Sequence, residues 1–136
     1  MDDHRSPAAL CRAAIIDYHG DIDRGRATAA IRFFDEDASF EARGEVLRGH
    51  EQILCFLENR QAQTGRHTLH LIGNAVTIAA SAESVEIGAL VLLHVRDEHG
   101  GYGLERVLDT VHRFRATESG WKITARRSTP LHPPAS

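Results

Sequence analysis

The chain has 136 residues, which suits one compact domain around one hydrophobic core. Its 42% hydrophobic and 26% charged content argue against a disordered chain, and no run approaches the ~18 apolar residues of a membrane span. The net charge is −3 and the arginines are scattered rather than clustered, which argues against a nucleic-acid or anionic-membrane partner.

The N-terminus, Met1-Asp2-Asp3-His4, is polar and shows no signal peptide. Ser6-Pro7 is a helix start, a capping residue followed by proline in the first turn. Cys11, Ile15, Tyr18 and Ile22 then fall on one helical face, and Asp23-Arg24-Gly25 ends the helix. A second short helix is predicted from Ala27, Ala30, Ile31 and Phe34. Residues 38 to 42 alternate like a strand, Arg43-Gly44 turns, and residues 45 to 48 read as a short return strand. A third helix is predicted from Glu51 to about Gln63, with Ile53, Phe56, Leu57 and Arg60 on one side. Cys11 and Cys55 both lie in helix-like apolar contexts. They are expected to be buried, reduced thiols of a cytoplasmic protein.

After Gly65 the pattern changes to four long strand-like runs, at residues 66 to 78, 84 to 96, 104 to 115 and 121 to 128. Turns rich in Gly, Ser, Glu or Asp separate them, and such short links favour antiparallel neighbours. Residues 1 to 6 and the Pro-containing stretch from 129 to 136 are expected to be loose termini of a single domain spanning 1–136. The fold class is α+β: a cone-shaped, curved, mainly antiparallel sheet wrapped around three N-terminal helices, leaving a pocket between sheet and helix ends.

Four polar residues carry the candidate chemistry: Tyr18, Asp23, His70 and Arg126. An aspartate that orients a histidine, with a phenol and a guanidinium nearby, is equipment for taking a proton and expelling a leaving group. Each also has a plainer role open to it. Asp23 suits a turn before Arg-Gly, His70 a strand histidine bonded to backbone, Tyr18 a core tyrosine, and Arg126 a solvated strand charge beside Arg127. Asn74 shares the strand parity of His70, and either orients it, polarises a substrate or makes a structural hydrogen bond. His67 and His70 point to opposite faces of one strand. No His-Glu-x-x-His or paired-cysteine motif is present, so neither a metal nor another cofactor is expected. The run Gly100-Gly101-Tyr102-Gly103 is a hairpin tip, and Trp121 belongs to the core.

This order of elements resembles the nuclear transport factor 2-like superfamily, with its cystatin-like α+β barrel, and within it the SnoaL-like group. The resemblance spans roughly residues 8 to 128. Tyr18, five residues before Asp23, looks like the stretch holding the oxyanion tyrosine of ketosteroid isomerase. His70-Leu-Ile-Gly-Asn74 is similar to the strand opening of hexachlorocyclohexane dehydrochlorinase and to the corresponding histidine of scytalone dehydratase. Gly120-Trp121-Lys122-Ile123 and the following Arg126 look like the last strand of the dehydrochlorinase.

The resemblance implies an Asp23–His70 dyad with Arg126 beside it, and, with Tyr18, a set like that of the bile-acid dehydratase. Ile22, Phe40, Val91 and Leu93 match positions that line the pocket in relatives. Two departures are visible. Ala42 stands where ketosteroid isomerase has its base and scytalone dehydratase a second tyrosine. His94 is one residue off the position of scytalone dehydratase's second histidine, which falls on Val95, so it is expected to face the other way.

The expected function is a cofactor-independent lyase of the dehydratase kind acting on a small hydrophobic molecule. The alternatives are an isomerase or polyketide-cyclase-like enzyme, or a non-catalytic ligand-binding module of the same fold. Apolar residues in both parities of 85 to 95 predict a homodimer or homotrimer.

Overall fold

The computed structural model describes residues 4–132. Helix α1 runs Pro7–Asp23, with the Ser6 side chain accepting a hydrogen bond from the Ala9 N–H at 3.2 Å. Gly25, at φ +78°, ends it in the left-handed region that glycine enters without penalty. The second predicted helix is a 3₁₀ segment, Ala27–Phe33, and Phe34 already belongs to the first strand. The strands are β1 (Phe34–Ala42), β2 (Glu45–Arg48), β3 (Thr68–Ala80), β4 (Ser84–Arg96), β5 (Tyr102–Thr117) and β6 (Gly120–Pro130). Helix α2, Gly49–Ala62, sits between β2 and β3. Arg43 and Gly44 both have positive φ and form the two-residue turn that joins β1 to β2.

All six strands form one sheet in the order β2-β1-β6-β5-β4-β3. Neighbours are antiparallel except β1 and β6, which run parallel. The long strands twist in the usual right-handed sense, so the sheet curls over the helices without closing on itself. Its concave face is lined by Val85, Ile87, Val91 and Phe114, alternating along β4 and β5, and α1 supplies Cys11, Ile15 and Ile22.

Three expectations need correction. Cys11 is buried, and its thiol is pushed up to about 12 by desolvation, but Cys55 is exposed. Helix α2 turns Ile53 and Leu57 inward, which leaves residue 55 on the outside. The C-terminal stretch is not loose from Thr129, because β6 continues through Pro130 and the Leu131 N–H donates to the Val107 carbonyl. At the other end Ser6 is fixed as the α1 cap, and residues 1–3 and 133–136 of the two termini lie outside the described residues. No helix among the described residues is long and apolar enough to cross a membrane.

Candidate active site

A cavity of about 1120 Å³ opens between the concave sheet face, α1 and α2. Asp23, the last residue of α1, stands beside the start of β3. Its carboxylate accepts three hydrogen bonds: from His70 Nδ1–H at 2.6 Å, the His70 backbone N–H at 2.8 Å and the Thr68 hydroxyl at 2.8 Å. A negative charge at a helix C-terminus is opposed by the helix dipole, so these donors are what hold the carboxylate there. Burial pushes the Asp23 carboxyl upward, and the bonds from His70 and Thr68 outweigh it, leaving the group below its ordinary value. Arg60 Nη2 donates to Thr68 Oγ1 at 3.1 Å and adds positive charge behind the carboxylate.

With Nδ1 committed to Asp23, the acceptor nitrogen of a neutral His70 is Nε2. His70 lines the cavity and Nε2 has no protein partner among the described residues. Tyr18 also lines the cavity, and its hydroxyl makes no hydrogen bond among the described residues. Burial raises the Tyr18 phenol, with Arg126 opposing, so the group remains a neutral donor.

Arg126 faces inward on β6, only 5% exposed, paired across the sheet with Phe40 on β1 and His112 on β5. Its guanidinium lies 4.6 Å from the Phe40 ring and 5.5 Å from the Tyr18 ring. Nε donates to His112 Nε2 at 3.2 Å, and Nη2 approaches His19 Nε2 at 3.5 Å. His19 Nδ1–H donates to the Ile15 carbonyl at 2.8 Å, which fixes Nε2 as its acceptor. Burial first, and Arg126 second, hold both His19 and His112 well below the ordinary histidine value, so both are neutral. The His112 Nδ1 atom is left buried with no partner. Burial lowers the Arg126 guanidinium too, with Tyr18 opposing, yet it makes no ion pair among the described residues.

Of the candidate wall residues, Ile22, Phe40 and Leu93 line the cavity. Val91 is fully buried but does not reach it. It lies two residues before Leu93 on β4, flanked by Ile72 and Leu108. Asn74 is exposed and away from the cavity. The β3–β4 register slips between Gly73 and Val76, and residue 74 sits in that bulge at φ +49°, so the parity it shared with His70 is lost. Ala42 and Val95 line the cavity, and His94 does not.

His19, His112 and Thr68 were not foreseen from the sequence. Ile15 and His19 are four apart, so His19 continues the buried stripe of α1. His112 lies in the alternation of inward residues Thr110, His112 and Phe114. No group of three or more His, Cys, Asp or Glu side chains among the described residues is placed to hold a metal ion.

The architecture matches solved structures along nearly its whole length. A candidate aromatic ring hydroxylase from Novosphingobium aromaticivorans has a TM-score of 0.80 at 23% identity, covering 93% of this chain and 90% of its own. A nuclear transport factor 2-like protein with a cystatin-like fold, from the same organism, has a TM-score of 0.79 at 22% identity, covering 99% and 94%. A candidate dehydratase of the nuclear transport factor 2-like family from Streptomyces avermitilis has a TM-score of 0.78 at 15% identity, covering 93% and 97%. These likenesses show the fold alone, an α+β cone built like that of the nuclear transport factor 2-like protein. The model of the SnoaL-like domain matches residues 11–127, and the chain belongs to that family. No curated protein matches the sequence at a significant level.

Proposed function

We propose that the chain is a cofactor-independent lyase of the dehydratase kind, with His70 as its base. One observation carries the reading: His70 Nδ1–H meets Asp23 at 2.6 Å, while the ring, its other nitrogen unpartnered among the described residues, lines a cavity large enough for a substrate. In the proposed reaction, His70 Nε2 takes a proton from the carbon α to a carbonyl. The electron pair moves onto the carbonyl oxygen, which the Tyr18 hydroxyl stabilises as an enolate. The enolate collapses, the β-hydroxyl leaves, and the imidazolium returns the proton to it as water. Asp23 holds the ring tautomer and stabilises the transient imidazolium. Arg126 supplies a positive field for the enolate or the departing group. The candidate dehydratase among the similar folds is consistent with this chemistry.

The test is turnover of a panel of hydrophobic β-hydroxy ketones, read as enone absorbance, by the wild-type protein and by His70→Ala. A rate loss of about 10³ or more is expected from removing a positioned base. An undiminished rate in the variant removes His70 from the mechanism. Deuterium uptake from D₂O without release of water would instead favour an isomerase.

We also propose that a second copy covers the outer face of the sheet. That face exposes Leu71 at 49%, Val76 at 60%, Ile78 at 54% and Leu104 at 55%. Light scattering at micromolar concentration should report a dimer or trimer, and a monomer counts against it.

A further inference from the structure

The cavity wall carries six arginines against two glutamates, in a chain whose net charge is −3. Arg126 lies at depth; the other five are on separate segments. Arg43 is in the β1–β2 turn, Arg60 in the last turn of α2, Arg66 in the loop after it, Arg96 at the end of β4 and Arg106 near the start of β5. Arg43, Arg60 and Arg96 form no ion pair among the described residues. Glu105 is shared between Arg66 at 3.3 Å and Arg106 at 3.7 Å. Elsewhere acids are spent freely on arginines: buried Asp21 binds both Arg26 at 2.9 Å and Arg32 at 2.6 Å, and Asp35 binds Arg115 at 2.6 Å. Arg12, Arg24, Arg48 and Lys122 also stand outside any ion pair among the described residues, but they are scattered, whereas the cavity gathers six arginines against two glutamates. Farther in, Ile22, Phe40 and Leu93 offer apolar wall. A cleft lined by one sign of charge focuses its field outward and draws in ions of the other sign.

We infer that the ligand of this cavity is an amphipathic anion, an apolar body seated against Phe40 and Leu93 with a carboxylate or phosphate held by Arg43, Arg96 and Arg106. This deepens the proposed function, and rests on it only in taking the cavity as the substrate site. The volume is large for a small molecule alone, since drug-sized sites run to about 1,000 Å³. It has room for a reacting part at His70 and a handle at the arginines. Arg60 is left out of the set because it is committed to Thr68 and the Arg66 carbonyl.

Two fluorescent probes separate charge from apolarity. 1-Anilinonaphthalene-8-sulfonate and N-phenyl-1-naphthylamine share a ring system and differ by the sulfonate. The wild-type protein should bind the sulfonate about tenfold more tightly at low salt, and the ratio should fall toward one at high salt. The triple variant R43Q/R96Q/R106Q should bring the ratio close to one at low salt while naphthylamine binding stays within about twofold, since three exposed charge contacts together can account for about a tenfold preference. The corresponding triple lysine variant should keep the preference. Displacement of the sulfonate by decanoate and by decyl phosphate, against decanol, tells which acid the handle carries. Equal affinity for the two probes overturns the inference, as does displacement by decanol equal to that by both acids. A preference that survives the glutamine variant also overturns it, and one that disappears only with Arg126→Gln moves the anion to the buried guanidinium instead. Binding is read without turnover, so failure here leaves the His70 rate test standing, and failure of that test leaves the anion preference standing.

Discussion

Two histidine rings in this cavity lie 4.9 Å apart and keep opposite company. His70 has a carboxylate at its Nδ1, and His19 has a guanidinium near its Nε2. A proton arriving at His70 meets a compensating negative charge. One arriving at His19 meets Arg126 in a buried site and is refused, and His112 is in the same position. The difference teaches that residue type alone does not choose a base. The sign of the partner differs between the two rings, and His19 and His112 serve as neutral acceptors for the arginine.

The strongest way to break this contrast is to neutralise the carboxylate. Asp23→Asn should lower kcat by about 10³–10⁴, since an amide can hold the wrong ring tautomer and cannot offset the imidazolium. Binding of a neutral probe should change little, and a rate within tenfold of wild type would show that Asp23 is structural. At the other end, Tyr18→Phe should cost about 10²–10³ in kcat, the usual effect of losing one oxyanion donor, with little change in the pH profile.

Acid unfolding sharpens the contrast thermodynamically. His19 and His112 are held well below 6.5 in the fold but titrate near it when unfolded. The unfolded chain therefore binds more protons on the acid side. Their contribution is fully present above about pH 6.5 and is lost as pH falls below it, at about 1.4 kcal/mol per unit for each ring. Asp23, lowered from 3.8, adds its own loss only at more acidic pH. Denaturant titrations between pH 7 and 5 should show the decline. His112→Gln, whose amide oxygen can still accept from Arg126, should make it about half as steep, and an unchanged slope would mean that His112 is protonated in the fold. The smallest effect is expected outside the cavity. His94→Leu should leave kcat within about twofold, because that ring is on the other face of β4, and a larger loss would implicate the outer face in turnover.

The fold was legible in the sequence where the local signal is strong. The alternation of Ser84–Arg96 between two polar turns gave that strand its observed limits, and Ser6-Pro7 marked the start of α1. The Asp23–His70 contact spans 47 positions, and only the family resemblance pointed to it. Asn74 misled because a bulge breaks period-two counting, and nothing in the residues themselves announces the bulge. His19 was hidden behind Tyr18, since both fall on the buried side of α1 and only one was counted in its stripe. The arginines look scattered along the chain, and only the folded sheet gathers six of them around one opening. Cys55 shows the reverse error: an apolar neighbourhood in sequence says little about which side of a helix turns outward.

The sheet has one more property, which matters while the protein is being made. Its last strand in sequence, β6, is third in the spatial order, wedged between β1 and β5. A nascent chain leaves the ribosome with its first strands waiting for a neighbour that is synthesised last. A truncation before Gly120 would therefore do more than shorten the product. It would leave two half-sheets with bare edges open to pairing with other chains, and without the arginine that completes the interior of the cone.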